Sequence, residues 1–200
     1  MVKSIDDNVQ RLLDYLDASG LRKNTVVIFT SDNGFSPIQS SNNNLRGSKG
    51  TVYEGGLRVP LLVNWPEMVK PGANDEIVSA IDWFPTFLDL AGIADHDELL
   101  DGASIVCLLH QGTLGNRATF WHNASMWKTP ANSIIRKGDW KLIQFLKDGK
   151  IELYNLQDDL QESTNLASAK PEVAKELLDE LTAWRKDNAV PLPPGSSLRF

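Results

Sequence analysis

The sequence predicts an α/β fold: a partial mixed or parallel sheet with flanking helices, then a small antiparallel sheet packed on a C-terminal helix. Three observations carry this. Near the N-terminus a helical apolar period, a short loop and a continuously apolar, β-branched run follow one another, the order of an α/β unit. Beyond residue 115 the chain turns into short apolar runs separated by hairpin-type turns. An amphipathic helix beginning at Pro171 then offers one apolar face for that second sheet.

The elements follow in order. Residues 4–19 carry Ile5, Val9, Leu12, Leu13 and Leu16 at helical spacing, with Ser4 and Asp7 resembling a capping box and Gly20 as a stop. Thr25 to Thr30 is the apolar run, the pattern of a strand covered on both faces. It leads into Ser31-Asp32-Asn33-Gly34, a long polar loop containing Asn42-Asn43-Asn44, and a glycine-rich run from Leu45 to Gly56. Val59 to Asn64 reads as a second strand halted by Trp65-Pro66, and Ile81 to Leu90 as a helix ended by Gly92. A small helix is expected around Ile105 to Leu109.

The later strand candidates are Thr119–His122, Ser133–Arg136, Trp140–Phe145 and Ile151–Asn155, with Lys137-Gly138-Asp139 and Lys147-Asp148-Gly149-Lys150 as turns. In the last helix Val173, Leu177, Leu178, Leu181 and Trp184 share a face. Two parts are expected, residues 1–114 and 115–200, without internal repeats.

Composition excludes several classes. Twenty Lys and Arg against 26 Asp and Glu leave a formal charge of −6, no electrostatic basis for binding nucleic acid or an anionic membrane. The longest apolar stretches, such as Leu61-Leu62-Val63, fall far short of the ~20 residues of a membrane-spanning helix. One cysteine cannot form an internal disulfide, and Met1-Val2-Lys3 leads into a polar helical pattern rather than a secretory signal.

Two places carry chemistry. Asp32 and Asn33 follow the first strand, at the sheet edge where α/β proteins gather ligands, and are hard oxygen donors suited to Ca²⁺ or Mg²⁺. Asp-Asn-Gly equally makes a simple turn. Lys49 stands between Gly47 and Gly50, where a glycine backbone approaches an anion closely and an ammonium supplies charge. The spacing is not that of a nucleotide phosphate loop, and a solvated loop lysine is the plain alternative.

Taken together and in this order, Val27 to Gly34, Leu45 to Pro60, Ile81 to Gly92, Gly138 to Ile143, Leu153 to Leu156 and Asn165-Leu166 resemble the sulfatase family of the alkaline phosphatase superfamily. The resemblance spans essentially the whole chain and corresponds to about the C-terminal half of such an enzyme. It implies an alkaline-phosphatase-like fold, Asp32 and Asn33 among the ligands of a divalent cation, usually Ca²⁺ with Mg²⁺ as an option, and Lys49 touching the substrate sulfate. It also implies that His122 leans over the substrate pocket, with a packed strand histidine as the alternative. The substrate would be a sulfated small molecule or carbohydrate.

The chain departs from the family at its nucleophile. The family hydrolyses with a formylglycine made from the first residue of Cys/Ser-x-Pro-x-Arg, and none of the ten prolines here has Cys or Ser two positions before it. Cys107, within Ile105 to Leu109, reads as a buried structural thiol. The N-terminal acidic ligands and active-site Lys and His of that half of the family also lack counterparts. Asp6-Asp7 and Asp158-Asp159 read as a helix start and a surface turn, and His96 and His110 as surface residues. Asn123-Ala124-Ser125 fits a glycosylation sequon. The expectation is a half-built sulfate monoester hydrolase, inactive alone. The rivals are a phosphate or phosphonate monoester hydrolase of the same superfamily and a non-catalytic binding module. Family members are often periplasmic, secreted or lysosomal.

Overall fold

A computed structural model describes residues 2–36, 44–93, 100–124 and 128–198. Asn42, Asn43, His96 and Ser125 lie outside the described residues. The chain forms two compact units, Met1–Thr30 with Pro60–Leu114, and Ser31–Val59 with Gly115–Phe200. The stretch 31–59, which a division at 114/115 assigns to the first part, packs within the second unit.

In the first unit, α1 (Val2–Ala18) begins ahead of Ser4, so Ser4 lies inside the helix rather than capping it. The Asp7 carboxylate instead receives Lys3 Nζ at 2.7 Å, one turn away. The helix stops at Gly20 as its sequence implies. Gly20 adopts φ +71°, and the N–H groups of Gly20 and Leu21 return to the carbonyls of Asp17 and Leu16 at 3.1 and 3.0 Å.

β1 (Val27–Thr30) pairs antiparallel with β2 (Leu61–Asn64), Val27 opposite Asn64 and Thr30 opposite Leu61. This corrects the expectation of a parallel-type strand covered on both faces. Among the described residues the sheet has these two strands, and Phe29 and Leu62 are 42% and 59% exposed. A two-stranded ribbon has too few neighbours to cover its apolar faces.

The next helix, α2 (Glu54–Leu57), belongs to the second unit; in the first, a 3₁₀ turn at Ala80–Asp82 leads into α3 (Trp83–Leu90), followed by α4 (Val106–Leu109). The fully buried Asp82 carboxylate receives the N–H groups of Ser79 at 2.7 Å and Ala103 at 3.0 Å. It thereby fastens the connector to the start of α3, since a buried carboxylate is tolerated only with such donors. Cys107 is exposed, not buried as its apolar flanks suggest, because a helix this short turns only Leu108 fully inward.

The second unit contains a four-stranded antiparallel meander in the order β3 (Ala118–Asn123), β4 (Asn132–Lys137), β5 (Trp140–Phe145), β6 (Ile151–Asn155). The turns place Ile134 opposite Trp121 and Ile143, and Leu142 opposite Ile135 and Leu153. Strand alternation then gives the sheet two apolar faces. One, with Ile135, Leu142 and Leu153, packs on Ala174, Leu177 and Leu181 of α5 (Pro171–Asp187). Leu181 is fully buried, a burial of about 1.5–3 kcal/mol. The other face, with Ile134, Ile143, Phe145 and Tyr154, receives Val52 of the glycine-rich segment. The protein is thus α/β, with a small antiparallel sheet on a C-terminal helix, and no described helix is long and apolar enough to cross a membrane.

Candidate functional site

The site is assembled on the sheet face that carries the glycine-rich segment. The N–H of Gly34 donates to the Gly56 carbonyl and the N–H of Lys49 donates to the Phe35 carbonyl, both at 2.9 Å. These bonds bring the backbone bearing Asp32 and Asn33 alongside the backbone bearing Lys49. Glycine at 34 is required by close approach: a Cβ there would stand 2.1 Å from the Gly55 carbonyl oxygen. Gly50 adopts φ +86°, which turns the chain immediately after Lys49. Lys49 and Asp32 are exposed and Asn33 is half-buried. Lys128 Nζ donates to the Lys49 carbonyl at 2.9 Å, so a second cation neighbours the turn.

Buried charges hold the segment on the sheet. Lys141 of β5, 1% exposed, lies 3.0 Å from Glu54 Oε1 and 2.8 Å from Glu162 Oε1. Glu162 Oε2 accepts the Glu54 N–H at 2.6 Å, and Arg58 and Arg136 each stand 3.8 Å from Glu54 Oε2. Burial pushes the Glu162 carboxyl above the usual range, against the opposing pull of Lys141. Beside this cluster, the Arg46 guanidinium lies over the Tyr53 ring, 3.6 Å from its centroid, and donates to Tyr154 Oη at 2.8 Å and the Glu162 carbonyl at 2.7 Å. Both tyrosine hydroxyls donate to Glu152 Oε2. Burial, then the Glu152 charge, pushes the Tyr53 phenol up to about 12.

Nothing in the local sequence marks Arg46, Glu54, Lys141 or Glu162 as parts of one cluster. One signal exists: the register sets Lys141 directly opposite Arg136, two cations that tolerate each other only with anions between them.

A cavity of about 320 Å³ opens between the segment and the sheet, lined by Gly50–Val52, Gly56–Leu57, Trp121–Asn123, Asn132 and Ile134. His122 is among the lining residues, but its ring points to the opposite face of the sheet. Trp121 packs with Val52 and Ile134, whereas Phe120 packs with α5, so alternation turns His122 toward α5. Its Nδ1 lies 2.9 Å from Ser133 Oγ. Burial holds the imidazole below its ordinary value, the Pro191 backbone opposes this, and the Arg185 charge adds to the depression. The geometry therefore favours the packed-strand role for His122.

Asp32 and Asn33 suit a hard cation by donor type, but supply only two of the roughly 6–8 oxygens that Ca²⁺ takes. Among the described residues, no group of three His, Cys, Asp or Glu forms a metal cluster. Asp159 is occupied by the N–H groups of Ser163 and Thr164, which outweigh burial and hold its carboxyl below the usual range.

Comparison with known proteins bears on this site. Residues 1–93 match the Sulfatase family model, and residues 48–187 match N-sulphoglucosamine sulphohydrolase, C-terminal. A sulfatase of Formosa agariphila is 34% identical over 95% of this chain and 39% of its own length. The crystal structure of Ps i-CgsB in complex with k-i-k-neocarrahexaose superposes with a TM-score of 0.82 at 28% identity, covering 94% of this chain and 42% of that one. BT4656 in complex with its substrate D-glucosamine-2-N,6-O-disulfate gives 0.73 at 31%, covering 92% and 39%. The phosphonate monoester hydrolase of Agrobacterium radiobacter gives 0.70 at 26%, covering 94% and 40%. The chain spans about two fifths of the length of the curated relatives it matches. With two family models overlapping on the glycine-rich segment and together covering residues 1–187, the chain belongs to the sulfatase family.

Proposed function

We propose that this chain supplies part of the active site of a hydrolase of sulfate monoesters, with Lys49 facing the sulfate and Asp32 and Asn33 facing a divalent cation, most simply Ca²⁺. The observation that carries the reading is the pair of backbone hydrogen bonds, Gly34 to Gly56 and Lys49 to Phe35, that join the two segments. An oxyanion ester needs charge neutralised on its non-bridging oxygens as the ester bond breaks. The Lys49 ammonium does this without a proton transfer, on a turn whose backbone is held by the sheet. A bound cation would add Lewis-acid polarisation of the sulfate oxygens. Asp32 and Asn33 would orient it, with the remaining oxygens coming from outside this chain.

The formylglycine nucleophile would also come from outside, since Cys/Ser-x-Pro-x-Arg is absent from these 200 residues. The chain by itself is therefore expected to hydrolyse no aryl sulfate in the presence of Ca²⁺. Turnover that disappears in Lys49→Ala would overturn this incompleteness. In a complete polypeptide carrying this segment, Lys49→Ala should lower kcat by about 10²–10³-fold. An unchanged kcat would remove Lys49 from the site.

A second reading, phosphate or phosphonate monoesters, draws support from the likeness to the phosphonate monoester hydrolase. Comparing kcat/KM for aryl sulfate and aryl phosphate in the complete polypeptide separates the two.

A further inference from the structure

We propose that Glu54 is a positioning residue of the candidate site: clamped by Lys141 and Glu162, it sets the separation between the backbone bearing Asp32 and Asn33 and the turn bearing Lys49. The consequence for turnover rests on the reading of those three residues given above; the coupling of the two backbones stands on geometry alone. Glu54 opens α2, and both arms of the site meet on the two glycines that follow it. The Gly56 carbonyl accepts the Gly34 N–H at 2.9 Å, tying down the residue after Asn33. Gly56 also seats the Lys49 turn: a Cβ there would stand 2.1 Å from the Thr51 carbonyl oxygen and 2.7 Å from that of Ser48. That turn is closed on itself, the Ser48 carbonyl accepting the Thr51 N–H at 2.9 Å and Thr51 Oγ1 at 2.8 Å.

Gly55 carries a further tie. Its N–H donates to the Arg46 carbonyl at 2.7 Å, and the Arg46 guanidinium in turn reaches the Glu162 carbonyl at 2.7 Å. One glycine pair therefore joins the two arms, at contacts too close to absorb a shift of α2. Glu54 fixes that pair. It is 3% exposed, its Oε1 receives Lys141 Nζ at 3.0 Å, and its N–H donates to Glu162 Oε2 at 2.6 Å. Lys141 lies on β5 and Glu162 beyond β6, so the clamp refers α2 to the hydrogen-bonded meander. Breaking the clamp would leave a buried charge without its partner, which makes it a stiff one. A site on a turn keeps its geometry only when the shell behind it is held in this way.

A merely stabilising cluster would protect the whole unit alike, whereas a positioning one protects the two arms in particular. Hydrogen–deuterium exchange of the full chain, read by mass spectrometry of peptic peptides, separates these. In Glu54→Gln, peptides 31–36 and 45–51, which carry the Gly34 and Lys49 amides, should exchange about tenfold faster or more, and by a larger factor than peptides of β5 and β6. Leu181→Ala, which weakens the α5 face of the same sheet, should show the reverse order. Glu54→Asp keeps the charge at a shorter reach; it should give a weaker form of the Glu54→Gln pattern and serves alone if that variant does not fold. Equal factors in all peptides, or unchanged protection of 31–36 and 45–51, would overturn the coupling. In a complete polypeptide carrying this segment, Glu54→Gln should also lower kcat for an aryl sulfate by about 10–10²-fold. A kcat that falls with Lys49→Ala but not with Glu54→Gln would overturn the positioning role. Selective loosening with a kcat indifferent to both variants would instead sink the reading of Lys49 and leave the coupling standing.

Discussion

His122 illustrates how much a single residue's role depends on which way a strand faces. In sequence it sits beside Trp121 and Asn123, both at the cavity, yet the period of two turns its ring toward Ser133, with Arg185 and the Pro191 backbone around it. Its depressed proton affinity makes a signed prediction. The unfolded chain takes up a proton near the ordinary value of about 6.5, and the folded chain only at lower pH. The resulting stability is complete above that ordinary value and is lost as pH falls through the folded-state value. Melting temperatures of the wild type and His122→Gln, followed from about pH 8 to about pH 5, should converge or cross as the pH drops. Parallel curves would show that the ring titrates freely and is not packed as described. The candidate site residues were legible to different degrees: Asp32, Asn33 and Lys49 stand in a recognisable order, whereas the direction of His122 depends on a pairing register.

Among the elements, the glycine-rich segment is the one whose placement decides the site. Its sequence announces turns and close backbone approach, and Gly34 and Gly50 meet those demands. What it does not announce is the partner. The segment packs on the small antiparallel sheet through Val52 and through Glu54, whose carboxylate is met by Lys141, Arg58 and Arg136. Lys141→Met should therefore leave Glu54 and Glu162 buried without their common cation, costing about 3–5 kcal/mol. Chemical denaturation monitored by tryptophan fluorescence measures this directly. A loss below about 1 kcal/mol, the range of exposed ion pairs, would mean that water reaches the cluster. The meander and α5 were readable from pattern, because hairpin turns and apolar spacing are local signals. A buried ion pair between residues 87 positions apart, Lys141 and Glu54, is not.

Across the whole molecule, apolar surface is unevenly distributed. The second unit covers both faces of its sheet, whereas the first leaves Ile5, Leu12 and Tyr15 of α1, Phe29, Leu61 and Leu62 of the ribbon, and Phe84 and Phe87 of α3 exposed. Both β1 and β2 have an outer edge without a described strand partner. Open edges beside apolar faces favour association. The isolated chain should elute as oligomers at micromolar concentration and bind a hydrophobic dye, as measured by light scattering coupled to size exclusion and by dye fluorescence. A dye-silent monomer with one cooperative melt would contradict this.

The sequence by itself determined the element order, the meander, the C-terminal helix and the family, because capping, turn chemistry and apolar period act within a few residues. Only the tertiary structure decided that residues 31–59 pack with the C-terminal sheet, that the His122 ring lies on the α5 side of the sheet, and that a cavity without acids, lysines or arginines in its described lining lies next to the candidate sulfate site. These outcomes depend on strand register and on charges meeting across the fold. A shift of one residue in register would exchange the two faces of the sheet and reverse them.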